Sequence, residues 1–226
     1  MEATPPPLSA ARARHDLAET TWWLKGLLIA FALAGLASLV SNSMQLALFL
    51  RGSWTPQQGQ ANDARQDLVN VIGICVDLVT VIAFARWVLL ANRHVRTLGA
   101  EGLTQTPWKA TGFFFVPVVN LFLPYRGMRE LWQASHHPSG WKDGQVPVLL
   151  PVWWGFWLVT NPFGRIGKFM NDMMDDLPSG ILATQVQLVQ NTLMIGLGVL
   201  ACLVVTRITA AQLRPAGQAE AERTPE

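Results

Sequence analysis

Gly26–Leu50 reads GLLIAFALAGLASLVSNSMQLALFL, about 25 residues without a charge. The hydrocarbon core of a bilayer is roughly 30 Å thick and takes about 20 apolar residues of helix to cross. Within it only helices and closed barrels satisfy every backbone polar group. This run lacks the period-2 alternation of a barrel strand, so it reads as a membrane-spanning helix. The chain then repeats the theme. Leu68–Leu90 is nearly as long and holds only Asp77 and Arg86. Ile181–Thr206 is again uncharged, and Val146–Thr160 is shorter and rich in Trp. The expected fold class is all-α, a polytopic transmembrane helical bundle.

Half of the 226 residues are hydrophobic, which leaves material for one bundle and two tails. Residues 1–21 are polar, carry Pro5, Pro6 and Pro7, and read as a disordered N-tail. Residues 22–213 form the transmembrane domain, and 214–226 a disordered C-tail. The first apolar run is too long for the core of a secretory signal, so it reads as an uncleaved span. A formal net charge of +2 gives no argument for nucleic acid. Cys75 and Cys202 lie inside candidate spans and fit packing roles rather than a disulfide.

The span count turns on Gly112–Pro124, GFFFVPVVNLFLP, a short apolar segment broken by Pro117 and Asn120. If it dips in and returns to the same side, thirteen Lys and Arg fall on one face and four (Arg51, Arg65, Arg165, Lys168) on the other. If it crosses, the bias disappears. The positive-inside rule therefore favours four spans, both termini cytoplasmic, and a proline-broken re-entrant segment. Val146–Thr160 is short for a span and must borrow length from Gly140–Gln145 or Pro162–Phe169, or sit in a locally thinned bilayer. Tyr125–Ser135 reads as an amphipathic helix lying in the interface, with Met128, Leu131 and Trp132 on its apolar face.

Asp77 sits near the middle of the second run, where an ionisable group is costly. It reads as a hydrogen-bonding lock between helices, with Gln187, Gln190 or Asn191 of the last span reaching its depth; a proton or cation relay is the sharper alternative. Asn120, between two prolines, is the candidate to serve carbonyls that Pro117 leaves free. Arg86, Arg93, Arg96, Arg126 and Arg129 form a basic collar suited to anionic lipid head groups. Gly26, Ala30, Ala34 and Ser38 recur every four residues and suit close helix packing. His15, His94, His136 and His137 read as exposed, with no ligand spacing beside them. No metal site, cofactor motif, nucleophile constellation or phosphate loop is present in the sequence.

The stretches RWVLLANRHVRTLGAEGL, PWKATGFFFVPVVNLFLPYRGMRELWQAS, VPVLLPVWWGFW and VVTRITAAQ resemble the DUF4328 family of bacterial membrane proteins. The resemblance is densest from 86 to 157. It rests on Trp87, Asn92, Pro107, Pro117, Asn120, Pro124, Glu130, Trp132, Ser135 and Trp153, with Thr209 and Gln212 fitting at the last exit. Leu123 stands where the pattern has a basic residue, so no role for a charge carries over there. The resemblance implies a fold and a location in the bacterial cytoplasmic membrane, but no activity. The expected function is a non-enzymatic membrane module that binds lipid, a protein partner or a further copy of itself. The alternative is a small transporter or channel using a midplane polar site around Asp77.

Overall fold

The computed structural model describes residues 8–172 and 176–214. They form six α-helices and no strand: α1 (Leu8–Leu50), α2 (Pro56–Thr97), α3 (Pro107–Gly112), α4 (Leu123–His136), α5 (Leu149–Asp172) and α6 (Leu177–Gln212). Short 3-10 turns fall at Val119–Leu121 and Pro138–Asp143. By length and composition α1, α2 and α6 can each cross a membrane. The apolar part of α5 is shorter, Leu149–Thr160, but the helix continues to Asp172.

Local chemistry sets the helix ends. Thr55 and Gln58 cap α2 reciprocally: Gln58 N–H donates to Thr55 Oγ1 at 3.3 Å, and Thr55 N–H to Gln58 Oε1 at 2.9 Å. Pro56 occupies the first helical position, where its missing N–H costs nothing. At the other end Gly99 adopts φ +94°. Ala100 N–H returns to Val95 O and Gly99 N–H to Arg96 O, a Schellman closure. Asp176 and Ser179 repeat the reciprocal cap at the start of α6. The bonds from the Ser179 backbone and hydroxyl hold the Asp176 carboxyl below its ordinary pKa.

Two compact units emerge. The first comprises residues 1–25, 82–151 and 203–226, and the second comprises 26–81 and 152–202. In the first, Leu17, Trp87, Met128, Leu131, Leu150 and Ile208 are essentially fully buried. Residues 8–21, expected in a disordered tail, are therefore helical where described, and Leu17, Thr20 and Thr21 are buried. Residues 1–7 and the tail beyond Arg214 lie outside the described residues. The apolar face of α4 is also consumed by this core. Met128, Leu131 and Trp132 are buried, as are Glu130 and Gln133. The expectation that this helix beds its apolar side in lipid is corrected: the protein itself covers that side.

In the second unit glycines set the helix contacts. A Cβ on Gly35 of α1 would meet Ile195 Cγ1 of α6 at 2.9 Å, and one on Gly198 would meet Phe31 Cδ1 at 2.8 Å. A Cβ on Gly196 would meet Phe156 of α5 at 2.6 Å. Gly26, which opens the four-residue stripe read from sequence, has nothing within 4 Å of its Cβ position. The close approach of α1 thus runs through Gly35, off that stripe.

Candidate functional site

In the second unit a polar network crosses α1, α2 and α6. Gln66 Nε2 donates to Gln45 Oε1 at 2.7 Å and to Asn42 Oδ1 at 3.0 Å. Asn62 Nδ2 reaches the same Gln45 oxygen at 3.2 Å, and Gln45 Nε2 donates to Thr184 Oγ1 at 3.0 Å. Ser41 Oγ donates to Gln66 Oε1 at 3.0 Å. Ser41, Asn42, Gln45, Asn62 and Thr184 are all buried. Each amide satisfies another, as buried polar groups require. The pairings of Ser41 with Gln66 and Gln45 with Asn62 fix α1 and α2 as an antiparallel hairpin.

A second network lies in the first unit and centres on Gln212, 1 % exposed. Its Nε2 donates to Ser135 Oγ at 2.8 Å and Ala91 O at 3.2 Å, while its Oε1 faces His94 Nδ1 at 3.0 Å. Ser135 Oγ donates onward to Leu131 O. Nearby in sequence, Thr209 Oγ1 accepts from Trp87 Nε1 at 3.1 Å and lies 3.0 Å from Thr21 Oγ1. α1, α2, α4 and α6 are thereby tied at one level. Glu130 is buried and accepts from the Thr104 amide at 3.0 Å, from the Thr104 hydroxyl, and from Arg126 Nε at 3.3 Å.

His94 is 3 % exposed, so the reading of all four histidines as exposed fails for it. It lies four residues beyond the apolar run of α2, which delivers it onto the last turn of α6. Burial pushes its pKa below the ordinary imidazole range; the Gln212 bond opposes this and the charge of Arg14 adds to it. His136 is half-buried and stacks on Trp132, with ring centroids 4.7 Å apart. Burial lowers its pKa as well, against a bond to Trp132 O.

The residues singled out from sequence fare unequally. Asp77 is half-buried in the second unit and makes no hydrogen bond among the described residues. Gln190 Oε1 and Asn191 Nδ2 are buried there without a partner, so neither forms the expected lock with Asp77. Gln187 is half-buried in the same unit. Asn120 belongs to the first unit, and its side chain makes no hydrogen bond among the described residues. Pro117 is accommodated by the backbone instead. Val119 N–H donates to Pro117 O at 2.8 Å, Asn120 N–H donates to Val116 O at 2.9 Å, and Val118 takes φ +67°.

The basic collar divides. Arg96 is half-buried, and its Nη2 donates to Gln105 O at 2.6 Å; it braces a loop and is withdrawn from the head-group set. Arg126 pairs with Glu130 at 3.3 Å, and its side chain is 61 % exposed. Arg93 lies over the Trp108 ring at 5.4 Å, and Arg86 and Arg129 are exposed. Among the described residues no cluster of three His, Cys, Asp or Glu is placed to hold a metal.

Sequence reasoning missed both networks as sites. The signal for the first was the i, i+4 spacing of Ser41 with Gln45 and of Asn62 with Gln66, polar pairs at the edges of apolar runs. The second was visible only as resemblance, at Trp87, Glu130, Ser135, Thr209 and Gln212. No curated protein and no solved structure matches the chain. The DUF4328 family model, described as a domain of unknown function, matches residues 51–210. With well over half of its length matched, the chain belongs to the DUF4328 family.

Proposed function

We propose that the protein is a non-enzymatic module of the bacterial cytoplasmic membrane. It has four spans and both termini in the cytoplasm, and its arginine-bearing cytoplasmic side binds anionic lipid head groups. The observation that carries this reading is the spacing of polar residues along α1. Thr21 and Ser41 each anchor a polar network, and Ser41 follows Thr21 by twenty positions, about 30 Å of helix. That is the thickness of a hydrocarbon core. Trp22 and Trp23 beside Thr21 are 67 % and 59 % exposed, as aromatic anchors at an interface are. Residues 113–122 form no helix longer than one 3-10 turn, and Phe115, Val118 and Phe122 are exposed. This supports a segment that enters lipid and returns on the same side. Arg86, Arg93, Arg126 and Arg129 are exposed, and the first, second and fourth of them make no ion pair among the described residues.

The test is flotation of purified, reconstituted protein and of an Arg86→Gln/Arg93→Gln/Arg129→Gln variant. The readout is recruitment of labelled phosphatidylglycerol over phosphatidylcholine to the cytoplasmic leaflet. Equal recruitment by both proteins refutes the head-group role.

A transport reading is favoured by one observation: Asp77, Gln190 Oε1 and Asn191 Nδ2 are all without partners in the second unit. A small transporter or channel would use them as a midplane polar site. Proton or cation flux in proteoliposomes, abolished by Asp77→Asn, is its test.

A further inference from the structure

Arg65 makes no ion pair among the described residues, and it stands at the head of an apolar groove. The guanidinium donates through Nε to Ser41 Oγ at 3.1 Å and through Nη2 to Ser41 O at 3.2 Å and Asn62 Oδ1 at 2.6 Å. All three acceptors are neutral. The ion pairs among the described residues involve His15 and Arg126, and none involves Arg65. The Ser41–Gln66–Gln45–Thr184 chain holds these acceptors in place, so the guanidinium is fixed. The nearby Asp63 carboxylate accepts from Asn62 Nδ2 at 3.3 Å and forms no ion pair with Arg65.

The groove beside it has a volume of about 370 Å³. Leu33, Leu36, Val40 and Met44 of α1 and Val69 of α2 line it, with Ser41 and Arg65. The four α1 positions fall on one helical face. Leu33, Leu36, Val40 and Met44 are all exposed to the surroundings of the protein. Arg65 precedes the apolar run that starts at Leu68 by three residues, about 4–5 Å of helix. A cation at that height beside an apolar trough meets the region where phosphates join acyl chains.

We propose that the α1–α2 hairpin binds one anionic glycerophospholipid, with an acyl chain along Leu33–Met44 and the phosphate on Arg65. The chemistry selects this occupant. With Nε and Nη2 held by Ser41 and Asn62, Nη1 keeps its two N–H groups for phosphate oxygens, and such charge-assisted bonds are the strong ones. A free anion would leave the apolar trough unused. A zwitterionic lipid brings its own cation and gains less from an arginine without an ion pair. The inference rests on the membrane reading above but not on Arg86, Arg93 or Arg129.

The test uses the full chain in neutral detergent and counts retained lipids by native mass spectrometry. Phosphatidylglycerol, phosphatidylcholine and inorganic phosphate are the added probes. The wild type should keep one phosphatidylglycerol in preference to phosphatidylcholine. Arg65→Gln should reduce that preference by about tenfold or more, the scale of a charge-assisted hydrogen bond. Arg65→Lys should keep part of it. Leu36→Trp should obstruct the trough and lower retention of both lipids. Arg51→Gln, an exposed charge outside the groove, should change nothing.

Gel filtration and melting curves show which variants fold; should Arg65→Gln fail, Arg65→Lys and Leu36→Trp carry the decision. Unchanged retention in the folded Arg65 and Leu36 variants overturns the proposal. So does an equal loss in Arg51→Gln, or protection by inorganic phosphate as strong as that by lipid. A wild-type dimer that Leu36→Trp dissociates, with no lipid retained, would assign the groove to a second copy and overturn it too. Resistance of the protein to carbonate extraction is scored separately. If it resists and Arg65→Gln is silent, only the lipid site fails; if it is extracted, the membrane reading itself fails.

Discussion

Gln212 concentrates more consequences than any other side chain. Its amide serves Ser135, Ala91 and His94 at once, in a place where water does not reach. Gln212→Leu removes both halves of that amide and strands a hydroxyl, a carbonyl and an imidazole nitrogen. The expected cost is about 1–3 kcal/mol, read as a lowered melting temperature in detergent. His94 adds a pH dependence. Its folded pKa lies below the ordinary value of about 6.5. The unfolded state then binds the proton more readily, so this contribution to stability is present above about pH 6.5 and is lost as pH falls. Melting curves from pH 8 to 5 should show that loss. His94→Gln should flatten it in part, leaving the smaller share due to His136; an identical slope in both proteins would contradict the assignment.

Asp77 is the other residue that decides something. Unpaired among the described residues, it does not behave as a lock. Asp77→Leu removes a costly polar group from an apolar helix and should leave the fold intact or firmer. A fall in melting temperature on that substitution would restore the structural reading. Asp77→Asn, equally folded, then reports function alone.

At the scale of the helix, contact depends on which glycine faces a neighbour. Gly35→Leu would drive a side chain into Ile195 and should cost roughly 1–3 kcal/mol as overpacking. Gly26→Leu, in open space, should cost nothing beyond experimental error or stabilise slightly through helix propensity. Equal effects of the two would refute the seam. The broken 113–122 segment behaves differently from its sequence expectation. By sequence Pro117 demands an amide nearby, and Asn120 is the one in reach. The backbone turns instead, through Val118 at positive φ, and its own N–H groups meet the carbonyls. Asn120→Leu should therefore leave the melting temperature unchanged in detergent, and a clear drop would show that the amide is needed after all.

For the whole molecule the prediction is topological. With thirteen basic residues assigned to one side and four to the other, Ser139 and Ser179 belong on opposite faces. Single cysteines placed there, with Cys75 and Cys202 replaced, should label from opposite sides of intact cells. Labelling of both from one side rules out four spans. The first unit gathers the start of α1, the end of α2, the stretch before α5 and the end of α6, the segments whose placement on one side this labelling tests.

The sequence by itself determined the helices, because hydropathy and caps act locally. An uncharged run of 25 residues has no other stable form in lipid, and Thr55-Pro56 or Gly99 end a helix wherever they fall. It also located the break at Pro117. It did not determine which polar groups find each other. His94 and Gln212 are 118 residues apart, and Gln45 and Thr184 are 139 apart. No periodicity encodes such pairs; helix rotation and register do. They also turn Met128 and Leu131 inward in the first unit, and in the second leave Asp77 without a partner and Arg65 without an ion pair. Only the tertiary structure decided these, since burial and pairing belong to the surfaces that helices present to one another and not to any single run of residues.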